Sequence, residues 1–226
     1  MESRYQKILD RISSAAKGRQ ITLIAVSKLQ SVESIEALYR FGHRDFGENY
    51  AQELFEKAKQ LSERGCDEIR WHFIGHLQRN KVKMLLPVVH TIHSLDSEKL
   101  AHELSKCFKE QPQGEKKTLP VFLEINVDHE PSKSGLLPEE TLELASKLAQ
   151  IPELDLQGLM CIPAPGNTHP AYSHLRTLAE QCGNHTKGLL SMGMSDDFEQ
   201  AIHEGATHIR VGTALFGQRS VPQKSG

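Results

Sequence analysis

Apolar runs and helical periods alternate along this chain almost from end to end. Short runs of mostly β-preferring apolar residues recur at residues 21–28 (ITLIAVSK), 43–47, 70–75 (RWHFIG), 88–94 (VVHTIHS), 119–127 (LPVFLEINV), 156–162 (LQGLMCI), 188–193 (GLLSMG) and 207–212 (THIRVG). Short runs of this kind fit strands buried on both faces of a parallel sheet. Between them apolar residues fall at helical spacing: Ile35, Leu38 and Tyr39, then Leu54, Phe55, Ala58 and Leu61, then Leu100, Leu104 and Phe108. The same spacing returns at Leu144, Ala145 and Leu148, at Leu175 and Leu178, and at Phe198, Ala201 and Ile202 within a helix predicted over 196–204. Residues 76–86 predict a short helix stopped by Pro87, and Pro138 suits the first turn of another. Ahead of the first strand, Tyr5, Ile8, Leu9 and Ile12 share one face of an amphipathic helix over about 3–16.

Eight strands with helices between them, in 226 residues, is the count for a (β/α)8 TIM barrel. The expected organisation is one domain over 1–226 with a short disordered tail over about 219–226. An open doubly wound sheet is the alternative, weakened because no GxGxxG follows the first strand. The polar stretch 110–118 (EQPQGEKKT) reads as a surface loop, since the same alternation resumes after it.

Charge and cysteine content narrow the function classes. The formal net charge is −2 and no basic stripe with interleaved aromatics occurs, which argues against nucleic-acid binding. No apolar run approaches the roughly 20 residues of a membrane span. The N-terminal helix carries acidic residues and does not read as a signal peptide. Cys66, Cys107, Cys161 and Cys182 form no CxxC pair and read as reduced thiols of a cytoplasmic protein. His72 and His76 lack the glutamate of HExxH, so no metal site is expected.

The chemistry concentrates at predicted strand ends, where α/β folds gather their sites. The first run ends abruptly in Lys28, just before a helix that starts near Ser31. A lysine there holds an anion, forms a Schiff base with an aldehyde, or is simply a solvated residue closing the strand. The seventh strand runs into Ser195 and the eighth into Gly212 and Thr213. The loops after strands seven and eight of a barrel often build a phosphate site. Ser195 stands at an expected helix start, Gly212 allows close backbone approach, and Thr213 adds a hydroxyl. Each has a plainer reading, as a helix cap or a turn. Arg210 sits inside an apolar run, either paired with a buried carboxylate or facing a ligand. A guanidinium keeps its proton, so beside a pyridine nitrogen it would leave that nitrogen unprotonated and the ring a weaker electron sink. Asn49, after the second strand, either bonds a ligand or satisfies a turn. Lys133 is a second lysine near the same mouth, more plainly read as a loop residue.

These segments resemble one family. AVSK at 25–28, FGENYAQE at 46–53, WHFIGHLQRNK at 71–81, LSMGMSDD at 190–197 and HIRVGTALFG at 208–217 resemble the pyridoxal phosphate homeostasis proteins, as does Asn126 with Glu130, Lys133 and Gly135. The resemblance implies a barrel similar to the N-terminal domain of alanine racemase, binding pyridoxal 5'-phosphate (PLP) covalently on Lys28. By position, Ser195, Gly212 and Thr213 would hold the phosphate, Arg210 would face the pyridine nitrogen, and Asn49 would lie beside the ring. It further implies a monomer without catalytic residues that buffers PLP, supports vitamin B6 and amino-acid balance, and hands PLP to apo-enzymes. Alanine racemase has a second, β-rich domain and an opposing tyrosine acid/base. This chain is expected to have no such domain, and among its tyrosines Tyr50 alone falls near the mouth. The competing readings are a small PLP-dependent racemase and a Schiff-base barrel enzyme acting without PLP.

Overall fold

The eight apolar runs form eight parallel strands that close into a barrel in the computed structural model, which describes residues 1–111, 117–164 and 166–217. The strands are β1 (Thr22–Val26), β2 (Asp45–Glu48), β3 (Arg70–Phe73), β4 (Val89–Leu95), β5 (Leu119–Ile125), β6 (Leu154–Cys161), β7 (Leu189–Ser191) and β8 (His208–Val211). They pair in sequence order, and β1 pairs with β8 to complete the ring. The helices are α1 (Glu2–Ala16), α2 (Val32–Arg40), α3 (Ala51–Glu63), α4 (Val82–Leu85), α5 (Glu98–Lys109), α6 (Thr141–Leu148), α7 (Thr168–Cys182), α8 (Phe198–His203) and α9 (Thr213–Phe216). This is a (β/α)8 TIM barrel. The expected tail over 219–226 and the middle of the polar loop, 112–116, lie outside the described residues.

Local signals account for most element boundaries. Ser31 caps α2 by accepting from the Ser34 amide, and Ser97 caps α5 by accepting from the Leu100 amide. Residues 76–86 yield less helix than their spacing predicts: a single 3₁₀ turn, Arg79–Lys81, runs into the one-turn α4 ahead of Pro87. Pro138 opens a 3₁₀ turn, Pro138–Glu140, that leads into α6.

The buried side chains fall in two compartments. The larger lies between strands and helices, with Ile35, Leu38, Leu54, Leu104, Leu148 and Tyr172 packed against the outward faces of the strands. Full burial of one such aliphatic side chain is worth about 1.5–3 kcal/mol. The second is the barrel lumen, where Phe122 stacks on His93 with ring centroids 4.5 Å apart. Being parallel, the strands put all their C-terminal ends at one mouth. Among the described residues no helix is long and apolar enough to cross a membrane.

Candidate functional site

At the C-terminal mouth, Lys28, Asn49, Ser195, Arg210, Gly212 and Thr213 line one cavity of about 260 Å³, together with Val26, Ile74, Ile162 and Met194. That is close to the low end of the roughly 300–1,000 Å³ of ligand pockets, a size for a small ligand. The six residues expected around the cofactor meet here, while Lys133 is not among the lining residues.

Lys28 stands two residues beyond β1, in a turn that carries Leu29 into the left-handed region at φ 60°. A branched side chain there is strained, and such strain persists only where its surroundings hold it. The hold comes from α3. Glu53 Oε1 accepts from the Leu29 amide at 2.7 Å. Lys57 Nζ donates to the Ser27 carbonyl at 2.7 Å, to Glu48 Oε1 at 2.8 Å and to Glu53 Oε1 at 2.7 Å. The Ser27 hydroxyl donates to Glu48 Oε1 at 2.6 Å. Glu48 and Lys57 are both buried. Burial raises the Glu48 carboxyl above its ordinary value, against the opposing pull of Lys57. Sequence reasoning missed this clamp. Its one local signal is the i,i+4 spacing of Glu53 and Lys57 on a helix that follows a buried-strand glutamate.

Arg210 is 4% exposed. Its Nη1 donates to Ser191 Oγ and its Nη2 to the Cys161 carbonyl, each at 2.8 Å. Both acceptors are neutral, so the reading of an arginine paired directly with a buried carboxylate does not hold. Two of its five N–H donors are spent on these bonds. Burial lowers the guanidinium's affinity for its proton, though an arginine remains charged.

Ser195 is not at a helix start. Asp197 Oδ1 accepts from the Met194 amide at 2.6 Å and closes a turn that delays α8 to Phe198, with Asp197 as its cap residue. The Tyr172 hydroxyl donates to Asp197 Oδ2 at 2.9 Å and braces that turn. Ser195 Oγ instead meets the start of α9, accepting from the Gly212 amide at 3.3 Å and the Ala214 amide at 3.5 Å. A Cβ on Gly212 would lie 3.3 Å from the Val26 carbonyl oxygen, so glycine lets β8 leave the barrel close against β1.

Asn49 Oδ1 is buried with no hydrogen-bond partner among the described residues. A buried acceptor left unpaired costs about 1–3 kcal/mol. Gly75 fixes its backbone: a Cβ there would fall 2.2 Å from the Asn49 carbonyl oxygen. A second cavity of about 420 Å³ shares Asn49 and is lined by Tyr50, Gln52, His76 and Lys81. Lys133 donates at 3.3 Å to the carbonyl of Ile162, a residue that lines the first cavity, and pairs with Glu130 at 2.8 Å.

The alanine racemase N-terminal domain family matches residues 3–220. A pyridoxal phosphate homeostasis protein of Pseudomonas aeruginosa is 42% identical over 222 residues, covering 94% of this chain and 93% of the relative. The chain belongs to the pyridoxal phosphate homeostasis family. A family member from Escherichia coli strain K12, of the same name, is 39% identical over 96% of each chain. Among solved structures, PipY of Synechococcus elongatus PCC7942 with PLP bound superposes with a TM-score of 0.80 at 33% identity, over 93% of this chain and 100% of that one. The family's barrel is therefore the fold seen here, an alanine racemase N-terminal type of (β/α)8 barrel.

Proposed function

We propose that this chain holds PLP as a Schiff base on Lys28 and serves intracellular PLP homeostasis and amino-acid balance. In this reading it is a single-domain cytoplasmic monomer, it passes PLP to apo-enzymes that need it, and it catalyses no reaction of its own. The observation that carries the reading is the convergence of one lysine, one buried arginine and one set of backbone amides on a single small cavity. The kinship with PipY, whose structure holds PLP, supports it.

The residues present fit the group. PLP when bound would supply an aldehyde and an electron-poor ring. Lys28 offers the amine that captures the aldehyde. The unspent donors of Arg210 would serve the ring nitrogen and would keep it unprotonated. Asn49 Oδ1, buried without a partner among the described residues, would offer the bound group an acceptor. The Ser195 and Thr213 hydroxyls and the amides of Gly212 and Ala214 suit a phosphate, with Ser195 Oγ now accepting both amide hydrogens.

The same residues suit holding better than turnover. Proton transfer at an amino acid's α-carbon needs a sink and acid/base groups on both faces. Arg210 weakens the sink. The Tyr172 hydroxyl is committed to Asp197, and its acidity is pushed down by burial and then by that carboxylate. Tyr50 is 57% exposed and lines the neighbouring cavity, so it is the tyrosine on which a racemase-like reading would rest. The experiment is α-proton exchange of alanine in D2O with PLP-loaded protein against free PLP. The carrier reading expects exchange no faster than with free PLP. Exchange at about 1 per second or faster, lost in Lys28→Ala, would replace it with the racemase reading.

A further inference from the structure

Below the cavity the barrel lumen holds a continuous line of polar groups. Arg210 Nη1 lies 2.8 Å from Ser191 Oγ, and Ser191 Oγ lies 2.9 Å from His93 Nδ1. His93 Nε2 lies 2.9 Å from His72 Nδ1, and His72 Nε2 lies 3.0 Å from Asp45 Oδ1. Asp45 stands at the start of β2, at the opposite mouth, where Arg70 binds both of its oxygens. His93 and Ser191 are completely buried and His72 nearly so. The line therefore crosses the lumen from one mouth to the other.

With one hydrogen on each imidazole, the chemistry of the two ends fixes the direction of every hydrogen. A guanidinium can only donate and a carboxylate can only accept. Arg210 therefore donates to Ser191, and His72 receives from its other neighbour while giving its Nε2 hydrogen to Asp45. His93 then donates from Nε2 and accepts at Nδ1 from the Ser191 hydroxyl. The reverse order fails, because it would set the bare Nε2 of His72 against the Asp45 carboxylate, two acceptors 3.0 Å apart. Burial holds His93 far below the usual imidazole range, with the charge of the neighbouring Arg210 acting the same way. Burial alone would raise the Asp45 carboxyl, but hydrogen bonds from His72 and Arg70 outweigh it and keep it ionised.

We infer that Ser191, His93 and His72 are positioning residues for Arg210, forming a one-way hydrogen-bond relay that ends on Asp45 at the far mouth. Each link turns its electron-rich end toward Arg210. The aligned dipoles stabilise a buried cation that touches no carboxylate, which is otherwise costly. They also fix the plane of the guanidinium, so its free N–H groups point at a constant place in the cavity. The inference deepens the PLP reading and rests on it for what Arg210 faces, but not for the relay itself.

The test has two parts. In the ligand-free protein, nitrogen NMR of the ¹⁵N-labelled imidazoles is expected to find His72 and His93 each carrying one hydrogen, on Nε2. A hydrogen on Nδ1 of either ring overturns the relay. The second part compares Ser191→Ala with wild type for binding PLP and a PLP analogue with carbon in place of the ring nitrogen. The variant should lose about tenfold in PLP affinity, as for a hydrogen bond to a charged group, and under twofold for the analogue. Equal losses, or none, overturn the positioning role, since a merely structural defect would weaken both ligands alike. If Ser191→Ala does not fold, His93→Phe breaks the line one link further on and is expected to give the same selective loss. If wild type binds neither ligand, the PLP reading falls and the tautomers alone decide the relay.

Discussion

Ser195 and Thr213 show how one residue's role can be separated from the site around it. Both hydroxyls sit at the cavity edge, where the amides of Gly212 and Ala214 already converge on Ser195 Oγ. If they bind a phosphate, Ser195→Ala and Thr213→Val should each weaken PLP by about 1.5–3 kcal/mol, the worth of a hydrogen bond to a charged group. Pyridoxal, which lacks the phosphate, should lose little; titration of both ligands by absorbance checks this. Glu124 poses a different residue-scale question. Burial raises its carboxyl from 4.5 to about 7, helped by Asp96 and opposed by Arg210, and its Oε2 has no partner. A carboxyl whose folded pKa is raised holds its proton more tightly in the native state. Its stabilising contribution is complete below about pH 4.5 and is lost as the pH rises through about 7. Glu124→Gln should match wild type near pH 4.5 and exceed it at pH 8 by up to about 3 kcal/mol in urea unfolding.

At the scale of elements, the turn after β1 depends on α3 more than on its own sequence. Lys57 reaches from α3 to the Ser27 carbonyl and to two glutamates, and Glu48 Oε2 is already without a partner. Lys57→Met would leave Glu48 as an unpaired buried carboxylate and should cost about 3–5 kcal/mol. Adding Glu48→Gln should recover part of that loss, and denaturant unfolding of the three variants reads both. Lys28 was legible because an apolar run ends in it abruptly before a capped helix. Lys57 was not, because a lysine on an amphipathic helix is ordinarily solvated, and only the closeness of β1 to α3 buries it. The helix start at Ser195 was misread for a similar reason. Asp197, braced by the hydroxyl of the distant Tyr172, accepts from the Met194 amide, and the helix starts two residues later than expected, at Phe198. The His72–His93–Ser191 line joins three strands through the lumen, and no spacing along the chain encodes those meetings.

For the whole molecule, the barrel was the most legible feature, since eight short apolar runs alternating with helices leave few ways to bury both faces of each strand. The site follows from closure. Lys28 and Arg210 lie far apart in sequence, yet β1 pairs with β8, with Ile24 opposite Arg210. A ligand held by both strands therefore stabilises the closed ring. PLP at 100 times its Kd should add about 2.7 kcal/mol to stability. For a chain of this length that raises Tm by roughly 5–10 °C. Differential scanning fluorimetry with PLP should record that rise, with a smaller one for pyridoxal.

The central claim is that Lys28 carries the cofactor, and borohydride reduction of the PLP-loaded protein followed by peptide mapping tests it most directly. In wild type the reduced pyridoxyl group should be found on Lys28. In Lys28→Ala the visible Schiff-base band should be lost, with at most partial labelling of Lys133, whose ammonium bonds the carbonyl of the cavity-lining Ile162. A wild-type protein labelled on another lysine, together with an unchanged spectrum in Lys28→Ala, would contradict it.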